Sequence, residues 1–192
     1  MKKFILASAS PRRSEILKNA GFDFEVVASQ ADETIIGKIE PKIVVRMLAK
    51  RKANAVLNDV LDSCVVLGCD TIVVLDDKIL EKPKDEKDAI KMLSRLSGKT
   101  HYVYTGVCIT DGAKEKTFVS ETEVEFFTLS AKTIENYVKT GEPMDKAGAY
   151  GIQGLGSILV KKIWGDYFAV MGLPIAKTAR ELKKFGVECS IL

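Results

Sequence analysis

The sequence feature that most restricts the fold is a near-continuous apolar run, Cys64–Leu75, near the middle of the chain. An apolar run of this length that is bounded by turn residues predicts a buried strand. The Asp76–Asp77 pair behind it is a hairpin signal, so residues 79–83 are expected to pair back onto the strand. The run is interrupted by Asp70. We therefore expect a sheet that carries an acidic side chain within its apolar part.

Helix and strand signals follow one another along the rest of the chain. Ser10 and Pro11 suit the N-cap and first position of a helix that Gly21 closes, between strands at 3–7 and 22–28. The remaining predicted elements are helices at 41–58, 85–96, 130–141 and 174–185, strands at 102–110, 116–129, 158–163 and 167–170, and a glycine-rich loop at 147–156. Nothing marks a linker, so we predict one α/β domain, residues 1–192, built on a mixed sheet.

Composition narrows the class of protein. The chain has 192 residues, 46% hydrophobic and 29% charged, which is a globular composition. A net charge of +3 suits an anionic small molecule and is too weak to indicate nucleic acid binding. No apolar run in the sequence approaches the ~18 residues that cross a bilayer, and the four cysteines lack zinc-ligand spacing. We expect a cytoplasmic protein with reduced, buried thiols.

The segment Ser8–Arg13 is a candidate anion site. A strand, a serine-rich turn and a helix start together present unpaired backbone N–H groups and the positive end of a helix dipole. Arg12 and Arg13 carry the wrong charge for the first turn of a helix, and a bound anion would supply the missing negative charge. Ser8, Ser10 and the two arginines are therefore candidate phosphate ligands. The alternative is a solvated pair of surface arginines.

Asp70 is the main candidate for chemistry, because a buried carboxylate is costly unless it is paired, bound to metal or catalytic. The structural alternative is a strand-end aspartate that faces a helix N-terminus, with Gly68 bending the backbone before it. Glu33 lies in a polar loop, and Lys52 and Lys82 are further cations. Alone, neither lysine is convincing, since a basic cluster on a helix is usually a solvated face. Together the set suits triphosphate chemistry, with cations for phosphates and carboxylates for a metal and a water.

His101 is the single histidine of the chain, so every Ser-His or Cys-His hydrolase scheme would have to use it. Nothing near it in sequence suggests a nucleophile. We expect a structural side chain at a strand end.

Several ordered motifs carry a family resemblance. They are Leu6–Arg13, Ala49–Ala53, Gly68–Thr71, Glu81–Pro83, Asp145–Gly154 and Val170–Pro174. On these motifs the sequence resembles the Maf family of nucleoside triphosphate pyrophosphatases over nearly the whole chain. The resemblance implies hydrolysis between the α- and β-phosphates, giving a nucleoside monophosphate and pyrophosphate. It also implies a fold like that of inosine triphosphate pyrophosphatases, with an elongated mixed sheet flanked by helices and two lobes around a central cleft. A divalent cation (Mg²⁺ or Mn²⁺) and a homodimer are expected on the same ground.

The resemblance also implies roles for individual residues. Asp70 matches the family's proton acceptor, and Glu33 matches a second acidic residue near the metal or water, so both are expected metal ligands. Arg13, Lys52 and Lys82 match its phosphate-contacting cations.

Three further positions, Arg12, Thr71 and Gln153, resemble the branch of the family that acts on dTTP and UTP. A glutamine amide both donates and accepts hydrogen bonds, as a pyrimidine edge requires. Three alternatives remain open. They are a pyrophosphatase of 7-methyl-GTP or another modified nucleotide, a phosphatase that removes the terminal phosphate, and a non-catalytic septum-formation regulator or nucleic-acid-binding protein. The cellular role, nucleotide-pool cleaning or division control, is also open.

Overall fold

The computed structural model describes residues 2–60 and 63–191. Its strands are β1 (Lys3–Leu6), β2 (Glu25–Val26), β3 (Cys64–Leu75), β4 (Lys78–Leu80), β5 (Thr100–Thr110), β6 (Glu115–Phe126) and β7 (Val160–Trp164). Its α-helices are α1 (Pro11–Asn19), α2 (Pro41–Asp59), α3 (Glu86–Leu96), α4 (Ala131–Lys139), α5 (Tyr167–Met171) and α6 (Ile175–Lys183). Three short 3-10 helices, Glu142–Asp145, Ala147–Ala149 and Gly154–Leu159, lie between α4 and β7.

The strands form one mixed sheet in the order β2-β1-β3-β5-β6-β7, with β4 paired to β3. β1 is parallel to both β2 and β3, whereas β4 is antiparallel to β3 and β7 is antiparallel to β6. Parallel and antiparallel pairs thus occur in one sheet, as the sequence predicted. The hairpin behind the long apolar strand is present, with Val73 opposite Leu80.

The chain forms two compact units. Unit 1 comprises the described residues of Met1–Asp70, Thr105–Ser120 and Gly172–Leu192, and unit 2 comprises Thr71–Tyr104 and Glu121–Met171. The long strands β3, β5 and β6 each contribute residues to both units. On β3 the division falls between Asp70 and Thr71.

In unit 1, helix α2 packs unusually close to the sheet because two strand positions are glycine. A Cβ on Gly68 of β3 would lie 2.3 Å from the carbonyl oxygen of Ala49. A Cβ on Gly106 of β5 would lie 2.2 Å from the carbonyl oxygen of Val45. Gly68 therefore does not bend the strand, which is continuous from Cys64 to Leu75; it leaves room for the backbone of α2.

The core of unit 2 contains a buried aromatic group. Its apolar residues come from β3 to β6 and from helices α3 and α4. His101, at the start of β5, is fully buried there. Its Nε2 lies 2.7 Å from the hydroxyl of Tyr150, and its ring packs edge-on against Phe126. The predicted structural role of this histidine near a strand end agrees with that position.

The strand predicted at 22–28 is reduced to Glu25–Val26, and two later predicted strands also differ from the structure. Residues 167–170 form helix α5, because the Asp166 carboxylate accepts hydrogen bonds from the backbone N–H of Phe168 (2.8 Å) and of Ala169 (3.2 Å) and so caps a helical turn. A short apolar run fits both the helical and the strand periodicity, so the cap decides between helix and strand here. The strand expected at 158–163 begins later, at Val160, since a 3-10 helix precedes it. Among the described residues, no helix combines the length and the apolar character that crossing a membrane requires.

Candidate active site

Unit 1 brings together two predicted carboxylates and one predicted lysine. Nζ of Lys52 lies 2.6 Å from Oδ1 of Asp70 and 2.9 Å from Oε2 of Glu33. Asp70 is only 6% exposed. The Lys52 side chain is 13% exposed and the Glu33 side chain 57% exposed, so the cluster runs from the core to the surface. The solvated-face interpretation of Lys52 is therefore wrong, and the carboxylate in the apolar strand is paired.

The close packing of α2 on β3 produces this contact. Asp70 follows Gly68 by two residues and shares its face of the strand. Because Gly68 has no side chain, the helix can approach the strand at Ala49 and Ala53, and Lys52 projects from the same turn. The glycine is thus a structural requirement for the ion pair.

The loop that carries Glu33 is held onto α2 by Arg51. One guanidinium nitrogen of Arg51 donates to the carbonyl oxygens of Asp32 (3.2 Å) and Thr34 (2.8 Å), which flank Glu33. The Asp32 carboxylate accepts from the backbone N–H of Thr34, which tightens the same turn. Sequence analysis did not assign a role to Arg51; its signals were adjacency to Lys52 and its place in the motif Ala49–Ala53.

Burial and charge act in opposite directions on Asp70. Burial raises the pKa of its carboxyl, while the nearby Lys52 and Arg13 cations lower it, and the net shift is upward. A carboxylate with a raised pKa is a better proton acceptor than a solvated aspartate. Burial also raises the pKa of the neighbouring Cys69 thiol to about 11, so this cysteine is neutral and unsuited to nucleophilic attack.

Arg13 is fixed at the opening segment. Its Nε donates to the carbonyl oxygen of Gly172 (2.8 Å), and one terminal nitrogen donates to Oγ of Ser8 (3.0 Å). The Ser8 hydroxyl also accepts from the backbone N–H of Ser10 (3.2 Å). Ser10 occupies the N-cap position of α1 as predicted, although its side chain does not cap the helix. Arg13 is buried and Arg12 is half-buried, so the solvated-pair alternative does not describe Arg13.

The other predicted site residues belong to unit 2. Thr71 lies on β3 immediately after Asp70 and is half-buried. Lys82 is exposed in the segment after β4, where the neighbouring Glu81 carbonyl accepts a hydrogen bond from the backbone N–H of Gly148 (3.1 Å). Gln153 is half-buried and directly precedes the 3-10 helix at Gly154–Leu159.

The segment around Gln153 rests on two side chains that sequence analysis missed. The Glu142 carboxylate accepts hydrogen bonds from the Tyr137 hydroxyl (2.9 Å) and from the backbone N–H groups of Leu155 (2.9 Å) and Gly156 (3.0 Å). Burial raises the pKa of Glu142, but these bonds outweigh it and hold that pKa below its usual range. The only available signal was the glycine-rich composition of the segment.

The donor chemistry of the unit 1 cluster fits a divalent cation. Mg²⁺ prefers oxygen ligands and is usually bound by one or two carboxylates together with substrate phosphates and water. Asp70 and Glu33 supply two carboxylates of this kind, which contact Lys52 through Oδ1 and Oε2. Across 2–60 and 63–191, no group of three or more His, Cys, Asp or Glu side chains is placed to hold a metal alone.

These features define a class of protein, an α/β protein in which a long, buried strand presents a paired aspartate beside basic side chains. A solved structure shows the fold: the Ham1 protein of Staphylococcus aureus superposes with a TM-score of 0.52 at 14% sequence identity, over 83% of this chain and 80% of that chain. The predicted mixed α/β fold is thereby confirmed.

Residues 3–185 match the family described as Maf-like protein, and the chain belongs to that family. A protein of Bacillus pumilus named dTTP/UTP pyrophosphatase is 52% identical over 189 residues, which cover 97% of this chain and 98% of that protein. A protein of Bacillus cytotoxicus with the same name is 54% identical over 185 residues, which cover 96% of each. The resemblance inferred from the motifs is confirmed.

Proposed function

We propose that this protein hydrolyses nucleoside triphosphates, dTTP and UTP above all, between the α- and β-phosphates, releasing a nucleoside monophosphate and pyrophosphate. Membership of the Maf family and the names of its relatives support the reaction. The observation that carries the proposal is the Asp70–Lys52–Glu33 cluster, because it places a buried proton acceptor beside fixed cations. The relatives' names do not favour 7-methyl-GTP as the substrate.

The proposed mechanism has no covalent intermediate. Asp70 orients the attacking water and takes its proton. Lys52 holds the Asp70 carboxylate in one orientation through the 2.6 Å contact. Arg13, itself held by Gly172 and Ser8, stabilises charge on the phosphates. Fixed cations on a positioned triphosphate supply much of the catalysis in phosphoryl transfer.

A divalent cation, Mg²⁺ or Mn²⁺, is part of the proposal, and Asp70 and Glu33 are its ligands from this chain. When bound, such an ion neutralises negative charge on the phosphates and lowers the barrier to attack. Arg51 supports this role by holding the turn on both sides of Glu33.

The assignments of Arg12, Thr71, Gln153 and Lys82 rest on the family resemblance, and those of Ser8 and Ser10 on the serine-rich turn before α1. Arg12, Thr71 and Gln153 select the nucleobase, Ser8 and Ser10 contact phosphate, and Lys82 adds a further phosphate contact. Residues 1–192 act as one domain. The protein works as a cytoplasmic homodimer. It removes unwanted pyrimidine nucleotides, ordinary or modified, and this activity is linked to cell division arrest.

The test is pyrophosphate release from a panel of ordinary and modified nucleoside triphosphates with Mg²⁺ or Mn²⁺. We expect pyrophosphate from dTTP and UTP, whereas orthophosphate as the first product would indicate a phosphatase instead. Asp70→Asn should lower kcat by about 10²-fold or more, since it removes the proton acceptor. Asp85→Asn, at the exposed N-cap of α3, is the matched control and should retain kcat. A variant at Asp70 with wild-type turnover would disprove the assignment of the base.

A further inference from the structure

We propose that Glu142 and Tyr137 are positioning residues for base recognition, a role that rests on the proposed function. They act through Gln153, because their hydrogen bonds go to backbone groups on both sides of it.

Four hydrogen bonds define the arrangement. On the N-terminal side, the backbone N–H of Gly151 donates to the Tyr137 hydroxyl (3.1 Å). On the C-terminal side, the backbone N–H groups of Leu155 and Gly156 donate to the two oxygens of Glu142. The Tyr137 hydroxyl then donates to Glu142 at 2.9 Å, which joins the two sides. The five residues from Gly151 to Leu155 are thus tied at both ends to one tyrosine–glutamate pair.

Two glycines of the segment, Gly154 and Gly156, lie against the same tyrosine–glutamate pair. A Cβ on Gly154 would lie 2.7 Å from a carboxylate oxygen of Glu142, and Gly154 has a φ of +65° that favours glycine. A Cβ on Gly156 would lie 2.5 Å from the Tyr137 hydroxyl and 2.4 Å from the carbonyl oxygen of Gly151. At these two positions a residue with a side chain would therefore collide with Glu142 or Tyr137.

Tyr137 and Glu142 both belong to regular structure of unit 2. Tyr137 is buried on α4 within the unit 2 core, and Glu142 begins the 3-10 helix behind that helix. Burial also raises the pKa of the Tyr137 hydroxyl well above its usual value, so the hydroxyl stays protonated and can donate to Glu142. Recognition of a base edge by an amide needs its donor and acceptor in fixed positions. The hydrogen bonds to Tyr137 and Glu142 meet that requirement, because they hold the backbone on both sides of Gln153.

The test measures kcat and KM for dTTP and for dCTP in the full-length wild type, Glu142→Gln, Tyr137→Phe, Gln153→Ala and the combination of Glu142→Gln with Gln153→Ala. An amide has one acceptor oxygen where the carboxylate has two, so Glu142→Gln deprives a backbone N–H group of its partner. We expect KM for dTTP to rise and the preference for dTTP over dCTP to fall about three- to tenfold, the factor typical of one lost hydrogen bond. Tyr137→Phe should change the preference in the same direction. Glu135 is an exposed glutamate on α4, the helix of Tyr137, so Glu135→Gln is the control and should leave the KM for dTTP and the nucleotide preference unchanged.

The combined variant separates positioning from general stability. If Glu142 acts through Gln153, adding Glu142→Gln to Gln153→Ala should change the dTTP preference by less than about twofold. An equal loss of kcat on both nucleotides, with the preference intact, would overturn the inference in favour of a purely structural role. A wild type that prefers dTTP, together with a Glu142→Gln variant of unchanged KM and preference, would overturn it too. A wild type that releases no pyrophosphate from any nucleotide would overturn the proposed function itself.

Discussion

Replacing Gly68 by alanine should separate helix α2 from strand β3 and disturb the Asp70–Lys52 pair. The added Cβ would lie 2.3 Å from the carbonyl oxygen of Ala49 and 2.7 Å from the backbone nitrogen of Ala53. Ordinary contacts begin near 3.4 Å, so relief requires a shift of roughly 1 Å, and backbone atoms cannot rotate away as a side chain can. A shift of that size would lengthen the 2.6 Å contact beyond hydrogen-bonding range.

Two effects follow, one on stability and one on activity. Overpacking of this kind typically costs about 1–3 kcal/mol, which corresponds to a fall in Tm of roughly 2–12 °C for a chain of this size. Misplacement of catalytic groups by about 1 Å can cost on the order of 10²-fold in rate. We therefore expect a protein that is still folded well below its lowered Tm and whose kcat is reduced about 10²-fold.

The assay is thermal unfolding together with pyrophosphate release from dTTP at a temperature well below the Tm of the variant. Gly106→Ala is the matched control, because its Cβ would press on the same helix at Val45, 2.2 Å from the carbonyl oxygen. Val45 lies seven residues before Lys52, about 10 Å along the helix axis. The control should thus lose comparable stability and less activity. A Gly68→Ala variant with wild-type kcat would refute the reasoning about how the site is positioned.

Two further predictions concern stability and loop position. Burial lowers the pKa of His101 to about 4 from an unfolded value of 6.5, so the unfolded chain binds the proton more readily and stability falls as pH drops below 6.5, by roughly 2 kcal/mol at pH 5. Urea midpoints at pH 7 and pH 5 should show a smaller fall in His101→Gln than in the wild type, and equal falls would contradict this. Arg51→Gln should lower kcat about threefold to tenfold by releasing the turn around Glu33, with little change in Tm because its bonds are exposed. Lys50→Gln is its control and should keep wild-type kcat; the same kcat in Arg51→Gln would show that the turn needs no such support.

The parts of the fold that sequence predicted are those with strong local signals. The apolar run fixed β3 at its observed bounds, Cys64–Leu75, and the acidic pair after it marked the turn to β4. The helix predicted at 130–141 begins directly after Ser130, whose hydroxyl accepts the backbone N–H of Thr133 at 3.1 Å and so caps α4. In each case the deciding interactions lie within a few residues, so a short window of sequence contains them.

The contacts that build the site could not be predicted in this way. Arg13 donates to the carbonyl of Gly172, which lies 159 residues further along the chain, and a backbone carbonyl has no side-chain signature. The separation of Lys52 from Asp70 is 18 residues, but their contact depends on how closely a helix approaches a strand. Gly68 was visible in the sequence, yet its role as a contact point became evident only when the opposing helix was known.

The charge balance of the cluster bears on how it would receive a triphosphate. In unit 1, two carboxylates, Asp70 and Glu33, share the Lys52 ammonium, and Arg13 is a second cation that lowers the pKa of Asp70. Two negative and two positive charges leave the cluster near neutrality, which makes the burial of Asp70 tolerable without a ligand. A triphosphate adds several negative charges, and a neutral cluster cannot offset them. Further positive charge is therefore needed, and the proposed phosphate contact Lys82 and the proposed divalent cation at Asp70 and Glu33 are its two candidate sources.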